Sequence, residues 1–271
     1  MSETAVSPAR QAYLNRIRRE KKQVHLVRLS LLVVLLILWE AAGRLGWVDI
    51  FIVSCPSRIM KTLQSLLSSG DLWRHMSCSC AETVVGFLLG TLCGTLIAIG
   101  LWWSRFAAKV FEPVLVVMNA LPKTALGPIF IVWIGAGTES IIAMSLAISV
   151  FVTIMNMYVG FCGVDQEKHR LMQTLGATRG QILRLLVLPA NLSTLFNTLR
   201  VNVGLSWVGV IMGEFLVSKA GLGYLIVYGS QVFNMDLVMA SVLLLAVAAV
   251  VMYHLVLLME RGLRVKMGVT E

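Results

Sequence analysis

Residues Gly176–Pro189 read GATRGQILRLLVLP, set between the apolar stretches Thr138–Phe161 and Thr194–Val217. Two arginines and two glycines make the segment too polar to cross a bilayer. Ile182, Leu185 and Leu186 are costly to leave in water unless they pack under a bundle or into another protein. The surrounding composition gives the context. Of 271 residues, 58% are hydrophobic and only 14% charged, with a mean hydropathy of +0.82, which is beyond a soluble domain of this size. A spanning helix needs about 20 apolar residues for a hydrocarbon core roughly 30 Å thick. Six stretches qualify: Leu26–Trp47, Ala81–Trp103, Val110–Ile134, Thr138–Phe161, Thr194–Val217 and Asp236–Met259. Continuous runs such as LLVVLLIL at Leu31–Leu38 exclude the alternating strands of an outer-membrane barrel. The expected fold class is therefore an all-α membrane protein of about six transmembrane helices.

Orientation follows from the basic residues. Sixteen of the 23 lysines and arginines fall in the first tail, near Arg105 and Lys109, in the loop 163–193, or after Met259, against five on the opposite side. The positive-inside rule then places both termini and GATRGQILRLLVLP in the cytoplasm. The chain divides into a polar cytoplasmic arm (1–25), a transmembrane domain (26–260) and a cytoplasmic tail (261–271), with Met1–Gln23 expected to be frayed or amphipathic. The first apolar run, with Glu40 and Arg44 spaced to pair at its outer end, reads as a retained span, not a cleaved signal peptide. Topology accounts for most of the +9 charge, and no basic groove with interleaved aromatics points to nucleic acid.

Within this frame the outer segment after Pro56 carries Ile59, Leu63, Leu66 and Leu67 at helical spacing and breaks at Ser69-Gly70-Asp71, which predicts a short surface helix. The loop 163–193 should form two short helices, the first ended by Gly176 at positive φ and the second limited by Pro189. Pro122, Gly127 and Pro128 interrupt the third span with Lys123 inside the break. An ammonium at such a place either faces an aqueous path, where it attracts an anion, or snorkels, or neutralises a carboxylate such as Glu214. Glu214 itself either lines a gate or pairs. Asn119, Pro122, Lys123 and Glu214 are the candidate translocation-path residues, while Arg200 is expected to snorkel. Gly90, Gly94, Ser145, Ser149, Gly204, Gly209 and Gly213 should permit close helix approach. Five cysteines lack metal-ligand spacing, and Cys55 with Cys78 or Cys80 leaves a disulfide open beside plain helix packing. A P-loop needs GxxxxGK followed by Ser or Thr, and none of the eight lysines has that setting. The four histidines are scattered, and no nucleophile or carboxylate pair is evident, so the chain is not expected to be an enzyme.

Gly176, nine residues, Leu186, Val187 and Leu188-Pro189 resemble the signature of the permease subunits of binding-protein-dependent ABC importers: Glu-Ala-Ala, three residues, Gly, nine residues, Ile, one residue, Leu-Pro. The opening acidic triplet is absent, for Arg170, Leu171 and Met172 stand there. The nitrate, sulfonate, taurine and bicarbonate branch is similar over nearly the whole chain past residue 30, on three ordered stretches. These are Leu121–Pro128 with Trp133–Gly137, Gly204–Glu214, and Gly221–Tyr224. The resemblance implies a type I importer fold in a bacterial inner membrane. It further implies a homodimer of permeases, two cytoplasmic ATPase subunits that bind ATP and Mg, and an extracytoplasmic binding protein. It also implies that Arg170, Thr174, Leu175, Gly176, Ala177, Thr178, Arg179, Leu188 and Pro189 form the ATPase-coupling loop. Closure of the ATPases would then push the 165–189 loops and alternate the access of the pore. An ion- or proton-coupled transporter or channel is the competing expectation, disfavoured by the few ionisable residues in the spans.

Overall fold

The computed structural model describes residues 8–266, and every regular element among them is helical. One compact unit ends at Thr62 and a second begins at Leu63. In the first, α1 (Pro8–Arg44) runs without interruption from the expected arm into the first span, so no helix break marks residue 26. Its apolar stretch is 6% buried, a helix presented to lipid. A single turn, α2 (Ile50–Val53), leads to α3 (Pro56–Ser69), the foreseen surface helix. Glu40 orders this unit. One carboxylate oxygen pairs with Arg44 Nε at 2.7 Å, and the other accepts the Ser57 N–H at 3.0 Å, satisfying a first-turn donor of α3. The i,i+4 pair was legible in the sequence; the second contact, 17 residues away, was not.

In the second unit the spans are α4 (Asp71–Trp103), a bent third span, α7 (Thr138–Cys162), α11 (Leu192–Val217) and α13 (Met235–Lys266). The bent span joins α5 (Arg105–Ala120) to a 3-10 turn (Lys123–Leu126) and α6 (Gly127–Ile134), with its halves at 92°. Among the described residues five helices are long and apolar enough to cross a membrane, and six if the bent pair is one span. The expected tail is described as far as Lys266, as the end of α13; residues 1–7 and 267–271 lie outside the description.

Helix α7 is the hub, packed along α4 on one side and α11 on the other. Small residues explain how. A Cβ at Gly90 would strike Ser149 Oγ, and Gly209 and Gly213 lie against Ser145 and Ile141 of α7. Lipid offers no hydrophobic drive between helices, so this close packing and buried polar bonds hold them together. Asn202 Nδ2 on α11 donates to Thr91 Oγ1 of α4 (2.9 Å) and to Thr153 Oγ1 of α7 (2.7 Å), tying three spans at one point. Two expectations need correction. Gly204 has no neighbour within 4 Å of an added Cβ, so it mediates no close approach within this chain. Arg200 does not snorkel: it pairs with buried Glu260, joining α11 to α13, and reaches Asn197 Oδ1 at 3.1 Å. Neutralising a carboxylate that is 5% exposed outweighs reaching for the interface. All five cysteines are free thiols, so no disulfide joins Cys55 to Cys78 or Cys80.

Candidate functional site

The loop between α7 and α11 begins with α8 (Gln166–Thr174), capped by Asp165, whose carboxylate accepts the Glu167 N–H. Gly176 at φ 76 closes it in a Schellman motif: the Gly176 N–H bonds Gln173 O and the Ala177 N–H bonds Met172 O, both at 3.0 Å. Thr178 opens the next turn, α9 (Arg179–Ile182), by a reciprocal capping box with Gln181. The turn is thus fixed on both sides by backbone bonds, which leaves its rim free for another task. Arg170, Thr174, Leu175, Gly176, Thr178, Arg179 and Pro189 are exposed and Ala177 and Leu188 half-buried. Arg179 Nη1 donates to Trp103 O at 3.2 Å, fastening the turn to the end of α4.

The apolar residues divide between the two fates open to them. Ile182 and Val187 are buried with Ala98, Met157 and Phe161 under the bundle, whereas Leu171, Leu175 and Leu185 are 59%, 73% and 64% exposed. The second helix ends just past Pro189, as expected. Leu183–Val187 widens to a π-turn in which the Leu188 N–H bonds Leu183 O, α10 (Leu188–Ala190) closes it, and Asn191, at φ −99 and ψ 11, is the turn residue before α11. A proline cannot donate, and the π-turn before it carries the helix only as far as Ala190.

At the bent span, α5 stops at Ala120 because Leu121 and Pro122 are extended, as the residue before a proline prefers. Pro128 does not break α6 but starts it, its missing N–H being one no helix start uses. Lys123 Nζ donates to Asn119 O (3.1 Å) and Asn119 Oδ1 (3.2 Å), setting a cation on the carbonyl end of α5. Asn119, Pro122 and Lys123 are thus brought together.

Glu214 is not among them. It is 1% exposed, and it holds the start of α12 (Leu222–Gln231), a helix the sequence reading missed. Gly221 N–H donates to His75 Nδ1 (3.0 Å), Leu222 N–H to Ser79 Oγ (2.7 Å) and Gly223 N–H to Glu214 Oε2 (2.5 Å), while Ser79 Oγ donates to Glu214 Oε1 (2.5 Å). Three orphan donors of a helix start are met by side chains of α4 and α11. Gly221, at φ 121, admits no side chain, since a Cβ would run into the Glu214 carboxyl. Tyr224 stacks on both His75 and Tyr228. The available signal was His75, Ser79 and Glu82 recurring on one face of α4 at helical spacing.

Comparison with known proteins agrees with this architecture. Residues 86–267 match the family of binding-protein-dependent transport system inner membrane components. The riboflavin transport system permease protein RibX of Chloroflexus aurantiacus is 30% identical over 85% of this chain and 86% of its own length. The taurine transport system permease protein TauC of Escherichia coli is 26% identical over 86% of this chain and 84% of its own. In fold, the chain resembles a bacterial ABC transporter involved in importing the acidic polysaccharide alginate, with a TM-score of 0.64 at 15% identity over 91% of this chain and 99% of that one. With a family match across most of its bundle, the chain belongs to the inner membrane components of binding-protein-dependent transport systems and is a multi-pass ABC importer permease.

Proposed function

We propose that the chain forms, with a second copy of itself, the translocation path of an ATP-driven importer in a bacterial inner membrane. The observation that carries this reading is the short connection from the Thr178 turn to α11, helical to Ala190 and joined to α11 by Asn191 alone, beside an exposed apolar rim. A partner gripping Leu171, Leu175 and Leu185 around the Gly176 turn would move α11, and with it the α12 start held by Glu214. Two cytoplasmic ATPase subunits, which bind the ATP and Mg, are the partners that fit a family of this kind. The basic residues favour a cytoplasmic loop and cytoplasmic termini, and a binding protein delivers solute from the opposite side.

The solute is small and anionic or zwitterionic, in the manner of nitrate, taurine, another sulfonate or bicarbonate. Relatives include a taurine permease, and Lys123 beside Asn119 and Pro122 offers a cation at the one interrupted span. Glu214 serves that path indirectly, as the anchor of α12, and its burial disfavours direct contact with solute.

The test is to express the chain with its neighbouring reading frames, isolate it in mild detergent, and assay copurifying ATPase and transport for wild type and Gly176→Glu. The variant should insert normally, release the ATPase and abolish transport. Wild-type transport in Gly176→Glu would remove the docking role, and solute movement by the purified chain alone down an ion gradient would overturn the importer reading.

A further inference from the structure

Beside the loop the structure encloses a cavity of about 420 Å³ among the ends of α4 and α7, the start of α5 and one face of α8. Its lining includes Arg105, Arg170, Arg179, His169, Trp102 and Trp103 and contains no Asp or Glu. None of the three arginines pairs with a carboxylate among the described residues. Asp165, close by in sequence, is engaged in capping α8. Arg179 is held at one end by Trp103 O, and His169 meets Trp102 edge-on at 6.4 Å, so part of the cationic wall is already oriented. Three guanidinium groups line one cavity, and their forked donors suit an anion with several acceptor oxygens.

Position identifies the anion's source. The cavity lies at the ends of the apolar helices α4 and α7 and is lined by Trp102 and Trp103; in the orientation proposed above, that is the depth at which tryptophans and phosphate headgroups lie. From Arg105 an apolar track continues along one face of α5, with Phe106, Val110 and Val114 at 79%, 49% and 51% exposure. Four-residue spacing aligns these three into a strip that can carry acyl chains. We propose that the cavity binds the phosphate of an anionic phospholipid of the inner leaflet, the guanidinium groups holding the headgroup and the α5 strip its chains. The bound lipid would brace α8 against α4 and α5, and the inner-leaflet assignment rests on the cytoplasmic orientation proposed above. Basic pockets between spans on the cytoplasmic side suit such headgroups.

The experiment is native mass spectrometry of the purified full chain with equimolar phosphatidylglycerol and phosphatidylcholine added. Wild type should retain phosphatidylglycerol preferentially. Arg105→Gln should weaken retention about fivefold, and Arg105→Gln with Arg170→Gln further, each arginine near a headgroup contributing a comparable factor. Arg105→Lys should keep most of the preference, and Lys219→Gln, outside the cavity, all of it; an unchanged gel-filtration profile shows that each variant is folded. Inorganic phosphate in millimolar excess should leave the lipid bound, and displacement by it would overturn the lipid assignment in favour of a soluble phosphate. Equal retention of the two lipids, or wild-type retention by Arg105→Gln, would overturn the site. Displacement of phosphatidylglycerol on adding the ATPase would show that a protein segment fills the cavity and would overturn it too. The lipid preference is read first on the chain without ATPase, so loss of the coupling reading leaves that result standing.

Discussion

Glu214 shows how much one side chain can organise. Its two oxygens are occupied by Ser79 Oγ and the Gly223 N–H, and the carboxyl of Glu82 lies beside it. Truncation to alanine would strand a buried backbone donor and a buried hydroxyl, at a cost of about 3 kcal/mol. Glu214→Gln retains an acceptor and should lose less. Thermal unfolding in detergent reads the difference, and an alanine variant that melts with wild type would remove the anchoring role. Gly221→Ala should be worse than an ordinary glycine replacement, because left-handed backbone strain of about 1 kcal/mol is added to a collision with Glu214. The same assay checks it. The sequence made Glu214 visible as an unusual acid in an apolar span, but its partner Ser79 lies 135 positions away, and His75 lies 146 positions from the Gly221 N–H it accepts. Nothing local could pair them.

At the scale of elements, the turn from Gly176 to Gln181 owes its shape to two devices, a Schellman close and a capping box. Thr178→Ala should destabilise the start of α9 by about 1 kcal/mol. Since the bundle is untouched, transport should fall while the melting temperature of the purified chain stays near wild type; unimpaired transport would show that the cap carries no load. Five long apolar helices, the α3 surface helix and the break at Leu121-Pro122 were all legible, because each rests on local rules of apolar length or proline geometry. Pro189 was legible as the limit of its helix, whereas the π-turn that precedes it was not. Helix α12 went unseen because its first donors are satisfied by side chains of distant helices.

For the whole molecule, the stability of the second unit rests on α7 between α4 and α11 and on two long-range polar ties, Asn202 to Thr91 and Thr153, and Arg200 to Glu260. Arg200→Ala removes the ion pair that joins α11 to α13 and should destabilise the second unit, whereas Arg200→Leu with Glu260→Leu should recover part of the loss. Chemical unfolding of the single and double variants decides it, and additive losses would mean that the pair contributes little. The grip on α12 also has a consequence for biogenesis. His75 and Ser79 leave the ribosome more than 140 residues ahead of Gly221 and Leu222. At about 5–20 residues per second, they wait on the order of ten seconds for the donors they will accept. Until then these polar groups sit in a half-built bundle, shielded by water or by the insertion machinery. The last fifth of the chain therefore acts as a completion signal, and a nascent permease cut short before Gly221 would display the unmatched groups that membrane quality control removes.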